Sequence, residues 1–256
     1  MHPIALEIGS LSIRWYGVMA AIGFLVGTWV LEKNRKFANM DKDQCSALLI
    51  IALICGILGA RIFYVVQFFD HYRYNLVNII RIDQGGLVFY GGFILALAAV
   101  IIYSVKQKLD PIRVLDVMAP VMAAAHAFGR IGCYLNGCCY GKVTESIFGV
   151  TPPAGSELAL RTGGMPLFPV QLLEAGENFL LCALYWYLLR RIKRPGIIMS
   201  LFFINYGALR FLNEMLRGDN VLYWKFTLAQ WIGLCLIPAG IGLIILFTRI
   251  KRNEKN

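Results

Sequence analysis

Seven apolar segments, each long enough to cross a lipid bilayer as a helix, dominate this sequence. A membrane-spanning helix needs about 20 apolar residues. Of the 256 residues, 58% are hydrophobic and only 16% are charged, against about 25% charged in soluble domains. We therefore predict an all-α polytopic membrane protein, formed as one domain over residues 1–256. The predicted spans run approximately over 12–32, 45–69, 86–105, 114–135, 170–189, 196–217 and 228–248.

The basic residues predict the orientation of these helices. Fifteen of the 25 lysines and arginines lie in four clusters, which follow the first, third, fifth and seventh spans. Because basic residues collect on the cytoplasmic side of membrane proteins, we predict a periplasmic N-terminus and a cytoplasmic C-terminus. The net charge of +10 then reflects topology, and no nucleic-acid partner is predicted.

Three arginines lie inside apolar spans: Arg61, Arg130 and Arg210. A charged side chain at the bilayer centre costs about 2.5–3.5 kcal/mol on insertion scales. Such residues therefore line polar cavities or bind ligands. Three of them indicate an anion site, and the commonest anion in a membrane is a lipid phosphate.

The polar residues of the spans fall in their outward-facing halves. At 100° per residue, the polar residues of span six lie within about 80° of one another around the helix axis. Spans four and five carry similar polar stripes, and contact with lipid would leave their polar groups without hydrogen-bond partners. This pattern predicts a cavity that opens to the outer leaflet or periplasm. The residues concerned are Tyr16, Arg61, Tyr90, His126, Arg130, Gln171, Glu174, Asn178, Tyr206, Arg210, Glu214 and Arg217.

Five segments together resemble the prolipoprotein diacylglyceryl transferase family. In chain order they are RWYG, GGLVFYGG, HAFGRIGCYLNGCCYG, FPVQLLE and YGALRFLNEMLRGD. The resemblance implies transfer of the diacylglyceryl group of phosphatidylglycerol to the lipobox cysteine of a bacterial prolipoprotein. It also implies release of glycerol phosphate, without cofactor or metal, at the outer face of the plasma (inner) membrane.

The resemblance also implies roles for the polar residues. Arg130 and Arg210 match the family's arginine positions and are assigned to the phosphate, since a planar guanidinium suits it. Glu174 and Glu214 would orient these arginines. The remaining predicted substrate-binding residues are Tyr16, Arg61, Asn136, Gln171, Tyr206 and Arg217.

At the position of the catalytic base, this chain differs from a well-known version of the family's motifs. That version reads FHGG, with a histidine proposed as base, where this chain has Tyr90 in FYGG. It reads GRIGNFINGE where this chain has GRIGCYLNGCC. His126, one turn before Arg130, is the first candidate base here, and Tyr90 is the second.

Structural readings remain open for several of these residues. Arg61 would equally pair with a carboxylate or helix-end carbonyls, and His126 would equally bind a carbonyl between helices. The glycines of GGLVFYGG would serve close helix packing. Cys133, Cys138 and Cys139 lack the C-x-x-C spacing of metal ligands, so a structural role is predicted, with a disulfide or an off-pathway nucleophile as alternatives. Residues 142–168 are predicted to form an external loop that covers the site or receives the signal peptide.

Two other functions are compatible with part of the pattern. A transporter or channel for an anionic lipid or solute would also use buried arginines, but transporters carry their sites near the midplane. A membrane redox protein would use the three cysteines, but C-x-x-C and paired haem-type histidines are missing from the sequence.

Overall fold

The computed structural model describes residues 3–8, 11–73, 76–81 and 85–253 and is mostly helical. The helices are α1 (Trp15–Asn34), α2 (Lys42–Gln67), α3 (Phe69–Tyr72), α4 (Phe89–Lys106), α5 (Pro111–Asn136), α6 (Glu157–Thr162), α7 (Val170–Arg191), α8 (Ile197–Leu216) and α9 (Leu228–Asn253). Short 3₁₀ turns cover Arg35–Ala38 and Leu76–Ile79. Two antiparallel hairpins pair β1 (Ile4–Ile8) with β2 (Leu11–Arg14) and β3 (Leu222–Tyr223) with β4 (Phe226–Thr227).

A long helix forms at each predicted span. Within the described residues, five helical segments are long and apolar enough to cross a membrane: Trp15–Ala38, Lys42–Gln67, Phe89–Lys106, Pro111–Asn136 and Leu228–Arg249. The helices α7 and α8 are less apolar than these five, because α7 carries Glu174 and Glu177 and α8 carries Arg210 and Glu214. The helical membrane class is therefore confirmed, with the short hairpins as an addition that apolar periodicity did not indicate.

The chain forms two compact units. One contains the chain up to Asn34 and from Leu115 onwards, and the other contains Arg35–Val114. The first unit holds α1, most of α5, and α6 to α9. The second holds α2 to α4. A single-domain organisation stays a prediction.

Glycines allow close helix contacts within each unit. A Cβ atom on Gly59 of α2 would lie 2.5 Å from the carbonyl oxygen of Gly91 on α4, and one on Gly92 would lie 2.7 Å from that of Gly56. Small residues permit such approach in membrane helices, so the packing role considered for GGLVFYGG is confirmed at its last two glycines.

The helices α8 and α9 cross through a similar contact. A Cβ on Gly207 would lie 2.8 Å from the Gly233 carbonyl oxygen. Helix α9 begins with a capping box, in which the Thr227 backbone N–H donates to Gln230 Oε1 and the Gln230 N–H donates to Thr227 Oγ1. The reciprocal bonds satisfy two donors at the helix start.

A buried carboxylate from another helix holds the start of α8. Asp116 on α5 accepts the backbone N–H groups of Gly196 (2.6 Å) and Met199 (2.8 Å). The first turn of a helix has unpaired N–H groups and a positive dipole end, both of which favour a carboxylate. Asp116 thereby fixes the position of the helix that carries Tyr206, Arg210 and Glu214.

Candidate active site

Three arginines and three carboxylates form one chain of alternating charges in the first unit. Helices α5, α7 and α8 and the residues after α8 supply them. Their order along the chain of contacts is Arg130, Glu174, Arg210, Glu214, Arg217 and Asp219. Buried charges require such pairing, because desolvation of an isolated ion is expensive.

Arg130 is held through the Nε atom of its guanidinium, which contacts Glu174 and His126. Its Nε lies 2.7 Å from Glu174 Oε2 and donates to His126 Nε2 at 3.1 Å. Among the described residues, neither Nη1 nor Nη2 of Arg130 has a hydrogen-bond partner. The two terminal nitrogens form a free fork, which is the geometry that binds phosphate oxygens bidentately.

Arg210 lies between two carboxylates. Its Nη2 is 2.8 Å from Glu214 Oε2, and its Nη1 is 3.7 Å from Glu174 Oε1. Both Nη1 and Glu174 Oε1 are buried and have no hydrogen-bond partner within the described parts of the chain. Arg210 therefore keeps one donor that a ligand oxygen would satisfy.

A narrow cavity lies beside these groups, lined by His126, Glu174, Tyr206 and Arg210 among others. Its volume is about 10 Å³, the space of a single water. Binding of a phosphate group at this place requires the lining side chains to move apart. Tyr206 stacks on Phe202, with ring centroids 5.8 Å apart, and lies against the His126 ring.

Arg217 continues the charge chain beyond the end of α8. Its Nη1 lies 3.5 Å from Glu214 Oε2, while its Nε and Nη2 donate to the Asp219 carboxylate at 3.0 and 3.2 Å. Arg217 also forms an antiparallel bridge with Gly141. The RGD segment after α8 is thus joined to the cysteine-containing loop after α5.

Gln171 holds the same loop from the other side. It is fully buried, and its Nε2 donates to the Cys138 carbonyl at 2.9 Å. Asn136, the last residue of α5, lines a second cavity of about 310 Å³ together with Tyr140, Glu157 and Arg161. This volume falls in the range of ligand pockets.

Tyr16 lies at the start of α1, beside the same end of α5. Its side chain is 48% exposed, and a Cβ on Gly132 would lie 3.2 Å from its Cδ2. The tyrosine is therefore positioned beside the helix that carries Arg130, with its ring accessible.

Arg61 and Tyr90 belong to the second unit. Every N–H of the Arg61 guanidinium donates to a backbone carbonyl: Nε to Ile79, Nη1 to Gly85 and Gly86, and Nη2 to Asn78 and Arg81, at 2.7–3.0 Å. A guanidinium has five N–H donors, so none remains for a ligand. This geometry favours a structural role for Arg61, as in the helix-end-carbonyl alternative that the sequence left open, but the carbonyls of Arg81, Gly85 and Gly86 lie outside any helix. Tyr90 lies at the start of α4.

Three thiols come together after α5. The sulfur atoms of Cys133, Cys138 and Cys139 all lie within 4.8 Å of one another, and each residue is half-buried. The thiols of Cys133 and Cys138 and the Arg217 guanidinium lower the pKa of the Cys139 thiol. The spacing C-x-x-x-x-C-C had not indicated this convergence.

Sequence reasoning missed three further participants. Asp219 pairs with Arg217, and the signal was its place two residues on in the RGD motif. Glu177 accepts a 2.5 Å hydrogen bond from Asn213 Nδ2, and its position three residues after Glu174 on α7 had offered a signal. Asp116 had no local signal, because its partners lie 80 and 83 residues away.

Comparison with known sequences gives a consistent family assignment. The family model described as prolipoprotein diacylglyceryl transferase matches residues 3–246. Proteins named phosphatidylglycerol–prolipoprotein diacylglyceryl transferase from Clostridium botulinum and Finegoldia magna are 33% identical to this chain over 255 and 258 residues, which cover both partners in full. The Streptococcus suis protein of that name is 32% identical over 251 residues, 97% of this chain and 93% of its own. This chain belongs to the prolipoprotein diacylglyceryl transferase family.

Proposed function

We propose that this chain transfers the diacylglyceryl group of phosphatidylglycerol to the lipobox cysteine of prolipoproteins and releases glycerol phosphate. The observation that carries the proposal is the free guanidinium fork of Arg130, held by Glu174 and His126 in a membrane protein of this family. The transporter alternative has no support from the relatives, which are named as transferases.

The reaction makes three demands on the site. It must hold the phosphate that leaves, deprotonate the thiol, and align the sulfur with the glycerol carbon. Arg130 and the free Nη1 of Arg210 serve the first demand, since both present N–H donors to the developing charge on oxygen. Tyr206 and Tyr16 would donate to the headgroup.

His126 serves in this proposal to orient Arg130. An arginine nitrogen can only donate, so Nε2 of His126 is the acceptor and the imidazole is neutral. Its other nitrogen then carries the proton. While this bond is present, His126 has no free lone pair with which to remove a thiol proton, and a base role requires that the bond first break.

The 310 Å³ cavity at Asn136 is the proposed binding place of the lipobox peptide. Residues 142–168 would then form an external loop against the peptide. The Lys142 backbone N–H donates to Leu216 at 2.8 Å, and the Phe168 N–H donates to Lys142 at 2.9 Å. Both ends of the segment are therefore held at the end of α8, close to Arg217.

The membrane arrangement in this proposal is seven spans, with α7 and α8 included and their charged faces turned from lipid. The N-terminus is periplasmic, the C-terminus is cytoplasmic, and the site opens outward in the bacterial inner membrane. A cysteine at residue 5, tested with a membrane-impermeant maleimide on intact cells, checks the orientation. Protection of that cysteine until lysis would contradict it.

A gel-shift assay tests the reaction. Purified protein in liposomes with phosphatidylglycerol receives a lipobox peptide, or the same peptide with Cys→Ser. We expect only the cysteine peptide to shift, and only when phosphatidylglycerol is present. A folded protein that leaves the cysteine peptide unchanged, beside a working transferase from a relative, would refute the proposal.

A further inference from the structure

The three thiols after α5 have the arrangement of a ligand set. Cys133 lies on the last turns of α5, and the chain turns back so that Cys138 and Cys139 meet it, with all three sulfurs within 4.8 Å. The other four cysteines, Cys45, Cys55, Cys182 and Cys235, lie outside this group, and none of the described cysteines forms a disulfide.

The backbone holds this arrangement in place. Gly137 has φ +75° and Cys139 has φ +57°, a left-handed conformation that residues with side chains adopt rarely. The Cys138 N–H donates to the Cys133 carbonyl at 3.1 Å, and Gln171 holds the Cys138 carbonyl. These bonds fix the backbone of the turn that carries the three cysteines, because a paired buried carbonyl is costly to displace.

The sulfur separations suit a thiophilic cation. Zinc binds thiolates at about 2.3 Å, so tetrahedral ligation places sulfurs about 3.8 Å apart. Separations of up to 4.8 Å reach that value by small side-chain rotations. Three thiolates and Zn²⁺ carry a net charge of −1, and Arg217 is joined to this loop through its antiparallel bridge with Gly141.

The group also lies beside the proposed reaction centre. Cys133 follows Arg130 by three residues, so the two side chains share a face of α5. Catalytic zinc sites have three protein ligands and keep one position for water or substrate, and three cysteines leave such a position here.

We propose that Cys133, Cys138 and Cys139 bind one Zn²⁺ ion whose fourth ligand is the thiol of the prolipoprotein cysteine. This inference rests on the proposed transferase function. The sequence spacing had predicted no metal, because it lacks a C-x-x-C pair, and the strained turn at Cys139 supplies the convergence instead.

Such a metal ion supplies the deprotonation for which His126 has no free lone pair. The substrate thiol binds zinc as the thiolate and releases its proton to water, since a coordinated thiol is deprotonated. The sulfur pair then forms the C–S bond, the bond between the glycerol carbon and the phosphate oxygen breaks, and its electron pair leaves with glycerol phosphate. The thioether product is a weaker ligand and leaves the metal.

Cobalt binding tests the site without reference to activity. The full chain, purified in detergent, reduced and freed of metal, is titrated with Co²⁺, whose absorption reports thiolate ligation and coordination number. We expect one Co²⁺ per chain. In Cys133→Ser, Cys138→Ser and Cys139→Ser we expect the affinity for Co²⁺ to fall by roughly tenfold or more, since variants of the residues that surround metal ligands already lose that much. Cys182→Ser and Cys235→Ser are the matched controls. Equal losses in the controls, absence of a thiolate band, or a disulfide within the trio that persists in place of metal would overturn the site.

The fourth ligand has its own readout. Addition of the lipobox peptide to the cobalt form changes the ligand-field spectrum, and the Cys→Ser peptide does not; a spectrum that ignores both peptides overturns substrate ligation. Thermal unfolding of each variant, with Cys→Ala as a second set, separates ligand loss from misfolding. If the trio variants lipidate peptide at the wild-type rate while Arg130→Lys does not, the transferase function stands and the metal proposal is wrong. If the wild type lipidates no peptide at all, the transferase function itself is wrong.

Discussion

Replacement of Arg130 by lysine tests the part of the site on which the proposed function depends most. Lysine keeps the positive charge but has one compact ammonium in place of the planar fork. It also lacks the Nε group that lies 2.7 Å from Glu174 and donates to His126. The variant therefore retains the charge of the site and loses both its bidentate geometry and its anchor.

The magnitude follows from the contacts. A hydrogen bond that involves a charged group contributes about 1.5–3 kcal/mol, and each 1.36 kcal/mol in the barrier is a factor of ten in rate. One lost phosphate contact lowers kcat/KM by roughly tenfold to a hundredfold. With the anchor lost as well, we expect a fall of about 10²–10³, comparable with removal of an oxyanion-hole donor.

The assay is the initial rate of peptide lipidation in phosphatidylglycerol liposomes. Arg113→Lys is the matched control, because Arg113 is paired with Asp110 at 3.4 Å on an exposed surface and should leave the rate unchanged. Turnover of Arg130→Lys within about twofold of wild type would show that the fork does not act in the reaction, since the loss of even one charge-assisted bond predicts more.

Three other substitutions test the surroundings of the site. Glu174→Gln removes the carboxylate shared by two arginines; we expect a destabilisation of about 3–5 kcal/mol in detergent unfolding and a lower lipidation rate, and an unchanged unfolding midpoint would contradict the pairing. Arg61→Lys leaves at most three donors for five carbonyls, so at least two bonds are lost and stability should fall by about 3–6 kcal/mol, with the exposed Arg73→Lys as control. Asp116→Asn keeps one acceptor for the start of α8 and loses the charge; we expect a cost of about 1–2 kcal/mol, and equal stability would argue against the capping role.

The sequence predicted most of what apolar length and helical period determine. Each predicted span contains a long helix, and the stripes of α5, α7 and α8 bring Arg130, Glu174 and Arg210 together as expected. Periodicity assigns a residue to a face of its own helix, but it does not say which atom of a neighbouring helix that face will contact. The sequence predicts that Glu174 and Glu214 orient the arginines, but the contact of Arg130 Nε with Glu174 and the unpaired Nη1 of Arg210 are visible only in the structure.

Features formed by irregular backbone were less predictable. The five carbonyls around Arg61 belong to Asn78, Ile79, Arg81, Gly85 and Gly86, and the sequence around these residues carries no periodic pattern that predicts the contact. The convergence of the thiols depends on a positive φ at Cys139. A glycine in the sequence would indicate such a conformation, whereas a cysteine does not. In both cases, local backbone geometry decides what the side chains do.

The equal number of positive and negative groups in the charge chain has a consequence for turnover. Phosphatidylglycerol carries its phosphate as a diester with one negative charge, whereas a phosphate monoester carries about −1.5 to −2 at pH 7. Three carboxylates among three arginines leave no surplus positive charge to retain the more anionic glycerol phosphate. We therefore expect weak product inhibition by glycerol phosphate, because the same neutrality that keeps the arginines buried also favours release of the leaving group after each cycle.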